Sequence, residues 1–401
     1  MARRNVSAAL ATTLVAQTFG SAAVLAPTVL APLIGKSMDL SVTTIGLYIS
    51  IVYVGSMIAS VLSGPVIDAA GGTRVSQIAL LICAVGLCLL STSVVILAVW
   101  GAFMIGLGYG PLTPASSDVL ARAAPPGRMA VIYSLKQTGV PLGGVLAGLL
   151  LPVLALAIGW NWALTVVGGG CALCAVAATP YRLPLDGERS GKIQRPRIRQ
   201  ALEPIASTLR NTELKILAIS SGVFSATQFC LAVYLVTFLT QTLLWQIVAA
   251  GVALSATQAT GAFARVFWGW VADRGAGAKR TLIVLAAAMA ASALSTLVLD
   301  DTTPPLMVVA LMVIFGATAG GWNGVYLATV ARLAPPGQIA KVTGGTLAFT
   351  YLGIVIGPLL FGTVADWTGS FAVAFGALAI PLSLCVVQLL WLKIDRPLAQ
   401  L

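Results

Sequence analysis

Apolar runs of about 20 residues or more alternate with short polar or charged turns along the whole chain. As a helix, such a run crosses the roughly 30 Å of hydrocarbon in a bilayer. Backbone N–H and C=O groups inside lipid find no water, so each must be bonded within its own helix or within a closed barrel. Barrel strands would show as alternating segments of about 10 residues, a pattern this sequence does not carry. The expectation is an all-α membrane protein of twelve transmembrane helices. The spans fall at 7–33, 43–67, 76–96, 98–121, 129–153 and 161–181, then at 213–240, 246–272, 281–299, 305–331, 339–364 and 371–393. Between the two sets, residues 182–212 break the pattern with a charge cluster from Arg182 to Arg199 and with Pro184, Pro196 and Pro204. That segment reads as a cytoplasmic linker with room for an interfacial helix.

The turns repeat. Gly64-Pro-Val-Ile-Asp68-Ala-Ala-Gly-Gly-Thr-Arg74 returns half a chain later as Gly269-Trp-Val-Ala-Asp273-Arg274-Gly-Ala-Gly-Ala-Lys279-Arg280. Ala121-Arg122-Ala-Ala-Pro-Pro-Gly127 returns as Ala331-Arg332-Leu-Ala-Pro-Pro-Gly337, and Thr138–Gly143 aligns with Ala348–Gly353. Internal repetition on this scale decides how a chain is read. It predicts a six-helix bundle over 1–181, the linker over 182–212 and a second bundle over 213–401. The two bundles are then parallel repeats, the arrangement used by alternating-access carriers.

Composition agrees. The chain is 58% apolar and 9% charged, where a soluble protein carries roughly 25% charged residues, and its mean hydropathy is +0.97. A formal net charge of +11 would suit a nucleic-acid partner, but the placement of the charges explains it without one. Lys36 lies outside, Lys136 and Arg265 lie within spans, and the other basic residues fall in or beside cytoplasmic segments. That is the positive-inside bias, with both termini cytoplasmic. Arg3 and Arg4 precede a span too long for a cleaved signal, so the first run reads as a retained helix. The six cysteines all sit in apolar runs. Cys171-Ala-Leu-Cys174 has metal-pair spacing but no nearby His or carboxylate, which favours small packing residues. The absence of histidine excludes His-based metal sites, triads and proton relays. No P-loop lysine and no nucleophile–base pair is present, so the chain reads as neither an enzyme nor a cofactor protein.

Gly64, Asp68, Gly72 and Arg74, and more fully Gly269, Asp273, Arg274, Gly277, Lys279 and Arg280, resemble the loop 2–3 signature of the major facilitator superfamily. The twelve spans, the repeat and the central linker extend that resemblance over the whole chain. The first copy departs from the pattern at Ala69, where a basic residue is usual. Asp68 and Asp273 end spans 2 and 8, where they can pair with Arg74, or with Lys279 and Arg280, across a Gly-rich turn. Asp118 and Arg122, one helical turn apart, can join the first cluster. The resemblance implies that Asp68, Arg74, Asp118, Arg122, Asp273, Arg274, Lys279 and Arg280 form conformational latches on the cytoplasmic side. It also implies that spans 1, 4, 7 and 10 line the cavity, which brings in Gln17, Thr18, Tyr109, Thr113, Ser116, Gln228, Tyr234, Trp322, Asn323 and Tyr326. Tyr53 and Gln258 occupy corresponding positions in spans 2 and 8.

Two cations stand out. Lys136 lies ten residues beyond Pro126, about 15 Å along a helix rising roughly 1.5 Å per residue. Arg265 lies eight residues before Asp273, about 12 Å deep on the same rise. A charge at mid-bilayer costs at least ~2.5 kcal/mol, and the sequence supplies no carboxylate at that depth. The substrate itself then becomes the natural counter-ion, with Lys136, Gln137 and Arg265 as its contacts; structural bonding to carbonyls and a gating role are the competing readings. Arg265 is similar to the arginine of oxalate:formate exchangers and monocarboxylate transporters, although those exchangers carry their second cation on span 11, where this chain has Thr346. The implied function is a monomeric secondary carrier of a mono- or dicarboxylate in a bacterial inner membrane, coupled to a proton or a counter-anion. Gly139, Pro141, Gly143 and Gly144 of span 5 resemble the glycine–proline motif of proton-driven drug exporters, which keeps an exporter as the second reading. A carrier-like sensor is the third.

Overall fold

A computed structural model describes residues 6–41, 43–123, 132, 135–187, 205–272, 274, 277–334 and 339–392. Among the described residues the regular structure is helical throughout. The helices are α1 (Val6–Val29), α2 (Ala31–Met38), α3 (Thr43–Ala70), α4 (Gly72–Leu90), α5 (Val95–Ala123), α6 (Gly139–Ile158), α7 (Trp160–Ala177) and α8 (Thr179–Asp186). They continue with α9 (Thr212–Gln241), α10 (Ile247–Val271), α11 (Gly277–Ser295), α12 (Pro305–Leu333), α13 (Ile339–Thr368), α14 (Phe371–Ala377) and α15 (Ala379–Leu390). By length and hydropathy, eleven spans among the described residues are fit to cross a membrane, with α14 and α15 forming one of them. There are twelve if 44–60 and 62–70 of α3, bent by 54°, count as one span. The run expected at 7–33 divides at Leu30, where Pro32 stands in the first turn of α2. Proline lacks the N–H that a continuing helix needs, so a new first turn is where it fits best.

The chain forms two compact units, Met1–Pro196 with Gln246–Ser255, and Arg197–Trp245 with Ala256–Leu401. Lipid gives helices no hydrophobic reason to associate, so close backbone approach over small residues has to supply the packing. In the first unit, Gly106 and Gly110 of α5 lie directly on the backbone of Val52 and Ser56 of α3. There Ser56 Oγ donates to Val52 O at 2.9 Å and to Gly106 O at 3.1 Å. In the second unit, Gly316 and Gly320 of α12 press on Thr257 and Gly261 of α10. The contact of α1 with α6 recurs as well. Ser21 Oγ donates to Val140 O at 2.8 Å while Gly143 rests on Thr18 and Ser21. In the other unit, Ser225 Oγ donates to Thr350 O at 2.8 Å while Gly353 rests on Gly222 and Ser225. The repeat read in the turns is therefore also a repeat of buried contacts.

Gly110→Val places a branched side chain where the Ser56 carbonyl already sits, and it should abolish a folded, monodisperse peak in fluorescence-detected chromatography. Gly169, which has nothing near its missing Cβ, should accept alanine with no loss of melting temperature, because alanine is the better helix former by about 0.5–1 kcal/mol.

Candidate substrate site and loop cluster

The first unit gathers Gln17, Tyr53, Tyr109 and Thr113 on α1, α3 and α5. Thr113 Oγ1 donates to Gln17 Oε1 at 3.3 Å, and Tyr53 meets Tyr109 edge to face with ring centres 6.1 Å apart. The Gln17 side chain is 1% exposed, and its Nε2 has no hydrogen-bond partner among the described residues. Gly139 packs on Gln17 and on the Leu14 carbonyl, which brings the start of α6 against this turn of α1. Lys136 stands one turn before α6 and is 2% exposed. Its Nζ donates to Gln137 Oε1 at 3.1 Å and meets no carboxylate among the described residues. The depth expected for Lys136 was counted from Pro126, which lies outside the described residues; its burial among helices is what the structure adds.

In the second unit, Gln228 of α9 and Trp322 and Asn323 of α12 form one hydrogen-bonded group. Trp322 Nε1 donates to Gln228 Oε1 at 3.2 Å, and Asn323 Nδ2 donates to the same oxygen at 3.4 Å. Trp322 is buried between Phe224 and Tyr326, with ring centres 5.7 and 5.4 Å away. The Tyr326 hydroxyl is turned toward Ser221, Thr346 and Thr350 without closing a well-formed bond to any of them. Arg265 of α10 is half-buried and donates from Nε to Gly320 O at 3.2 Å, one turn ahead of Asn323 on α12. Gln258 is half-buried on α10. Tyr234, expected on the cavity wall, is instead a packing residue. Its hydroxyl donates to Pro358 O at 2.7 Å and its ring stacks on Phe361.

The loop cluster departs from expectation. Asp68 is exposed and makes no hydrogen bond or ion pair with a described residue, and the Arg74 side chain is exposed too. The carboxylate that holds this turn is Asp186, at the end of α8 and 3% exposed. Its Oδ1 accepts from Thr73 N at 2.8 Å and its Oδ2 from Arg74 N at 3.0 Å. The physical reason lies in the helix end. The first N–H groups of α4 lack intrahelical acceptors, they attract negative charge, and one carboxylate satisfies two of them. Gly71 makes room for it. Its φ is +95°, and a Cβ there would strike the Asp186 carboxyl group. Leu185, one residue earlier, anchors α8 among Ala9, Val119, Leu120 and Ala123. Arg122 closes the cluster, donating to the Asp186 carbonyl at 3.1 Å and pairing with Asp118 at 2.7 Å.

Residues 182–186, read from sequence as the start of the linker, are therefore helical and docked. The available signal was Leu183-Pro-Leu-Asp-Gly187, where apolar residues lead into a carboxylate and a glycine; the surrounding run of charges hid it. In the second copy of the turn, Asp273 lies outside the described residues. Arg274 stacks on Trp270, 4.9 Å from the ring centre, and Arg280 is exposed. Lys279 Nζ reaches the Leu390 carbonyl at the end of α15, at 2.7 Å.

Two units that repeat the same helix contacts, with buried polar groups in long apolar helices, define a polytopic carrier-type membrane protein. The model of the Major Facilitator Superfamily matches residues 8–345 and, in a second match, 217–400. The chain belongs to that superfamily, whose members are transporters and not enzymes. A hexuronate transporter of Bacillus subtilis (strain 168) is 28% identical over 136 residues. The match covers 33% of this chain and 31% of that protein, so the chain spans about a third of the length of this curated relative. The nucleoside transporter NupG superposes with a TM-score of 0.79 at 16% identity, over 97% of this chain and 100% of that one. A POT family transporter solved with 5-aminolevulinic acid gives 0.77 at 13% identity, over 97% and 95%. A bacterial homologue of the lysosomal transporter Spinster gives 0.71 at 15% identity, over 96% and 95%. These likenesses establish the fold.

Asp186→Ala strands the buried N–H of Thr73 and the part-buried N–H of Arg74 and should cost about 1–3 kcal/mol, read as a clear drop in melting temperature. Asp68→Ala should stay within about 0.5 kcal/mol of wild type in the same measurement.

Proposed function

We propose that this chain is a secondary carrier for a small organic anion, a mono- or dicarboxylate, moved by alternating access across a bacterial inner membrane. One observation carries the proposal. Lys136 is buried in an apolar helical unit with an amide oxygen as its partner and no carboxylate among the described residues. An ammonium in that setting is costly without a counter-ion, and a substrate anion is a counter-ion that comes and goes. Gln17 Nε2, without a hydrogen-bond partner among the described residues, adds a second donor. Both features favour an acceptor-only ligand group such as a carboxylate. Arg265 is the second cation we assign to the substrate, with Gln137, Tyr53, Gln258, Gln228, Asn323 and Tyr326 as polar contacts. The relative named for hexuronate, a carboxylate, agrees with this reading.

The six-helix halves, 1–181 and 213–401, would rock about the bound anion, coupled to a proton or a counter-anion. Asp68, Arg74, Asp118, Arg122, Asp273, Arg274, Lys279 and Arg280 would act as cytoplasmic latches. The span 5 glycines need no exporter chemistry, since Gly139 and Gly143 are occupied in packing against α1.

Binding stabilises the native state by RT ln(1 + [L]/Kd), so a thermal-shift screen of detergent-purified protein tests the proposal. Carboxylates should raise the melting temperature, and inorganic cations or cationic drugs should not. Lys136→Met should melt at or above the wild-type temperature when empty, because a buried charge is gone, yet lose the carboxylate response by at least about tenfold in apparent Kd. A carboxylate response that survives in Lys136→Met, or one limited to cations and neutral compounds, would sink the proposal.

A further inference from the structure

The hydrogen-bond polarity of the second unit narrows the substrate further. Trp322 Nε1 can only donate, so its bond to Gln228 fixes which end of that amide is the oxygen. Gln228 Oε1 then receives both Trp322 and Asn323. That leaves Gln228 Nε2 as an open donor and Asn323 Oδ1 as an open acceptor among the described residues. Gln258 adds a whole amide, donor and acceptor, with no hydrogen bond to a described residue. All three side chains are half-buried, so they are not sealed by helix packing. All three also stand near the middle of their helices. Gln228 is sixteen residues into α9, about 24 Å at roughly 1.5 Å per residue. Open amide groups at that level cannot face hydrocarbon without a penalty of several kcal/mol, so they face water or a ligand.

A carboxylate cannot fill these positions, because it only accepts and Asn323 Oδ1 needs a donor. An ammonium cannot either, because it only donates and Gln228 Nε2 needs an acceptor. A hydroxyl does both with one atom. We infer that the transported anion is a polyhydroxylated carboxylate, a sugar-acid type of compound, whose hydroxyls are read by Gln228, Asn323 and Gln258. The inference rests on the anion-carrier reading above and narrows the class of the transported anion.

Four small probes separate the two claims in a thermal-shift titration of the purified protein. They are D-gluconate, hexanoate (the acid without the hydroxyls), sorbitol (the hydroxyls without the acid) and N-acetylglycine (an acid with an amide). Gluconate should bind at least about tenfold more tightly than hexanoate and than sorbitol. Asn323→Leu should erase most of that preference while leaving hexanoate unchanged. Gln258→Leu repeats the test at a position with no hydrogen bond to a described residue, so its effect is separable from misfolding. Equal binding of gluconate and hexanoate, unchanged in both variants, overturns the polyhydroxyl inference and leaves the anion carrier standing. Preference for N-acetylglycine over gluconate overturns it in favour of an amide-bearing acid. Sorbitol binding as well as gluconate, with Lys136→Met indifferent, overturns the anion carrier itself. Silence to all four overturns both.

Discussion

The constraint on which this structure depends is that no backbone group and no polar side chain within a span can be left to the lipid. Helices settle the backbone. What remains is to hold them together where apolar contact offers no advantage over lipid tails. The chain does this by removing side chains at the crossings, so that a serine hydroxyl can reach the carbonyl of the neighbouring helix. Ser21 on Val140 and Ser225 on Thr350, both at 2.8 Å, are the same device at corresponding places in the two units. Gly143 and Gly353 are what allow it, because a Cβ at either would fall on the opposing helix.

The same accounting explains the ends of the helices, where the two units use opposite chemistry. In the first, the N–H groups opening α4 are bonded by the carboxylate of Asp186, brought from the end of α8. In the second, a carbonyl closing α15 is bonded by the ammonium of Lys279, which stands in the opening turn of α11. A negative group at a helix start and a positive group at a helix end are both favoured by the helix dipole. Corresponding joints are thus secured from opposite directions. Among the described residues, the loop signature that the two copies share in sequence does not carry the same bonds.

This contrast shows what was legible in the sequence. The transmembrane spans and the repeat follow from hydropathy and turn spacing, since both are consequences of bilayer thickness and helix rise; eleven spans, or twelve with the bent α3, are described where twelve were expected. Asp118 with Arg122 was legible because i,i+4 geometry is local. Asp186 was not, because its role depends on α8 folding back on Leu185, a tertiary event hidden in a charged segment that resembles a linker. The absence of a described partner for Asp68 was equally invisible, because composition cannot say which of several carboxylates reaches a helix start first. Tyr234 was misplaced for a similar reason: a tyrosine in a cavity-lining helix looks the same whether its hydroxyl meets solvent or the Pro358 carbonyl.

The two units differ as well in their unfilled hydrogen-bonding groups. The first unit carries Lys136 where the repeat places Thr346, and beside the start of α6 its open groups among the described residues, Lys136 Nζ beyond its one amide bond and Gln17 Nε2, are donors. The second carries amides that offer donors and acceptors together. A structure required merely to be stable would have no reason to keep either set, because well-packed apolar residues would serve as well or better. Under the proposed function both sets are kept for a ligand, a reason that helix packing alone does not supply.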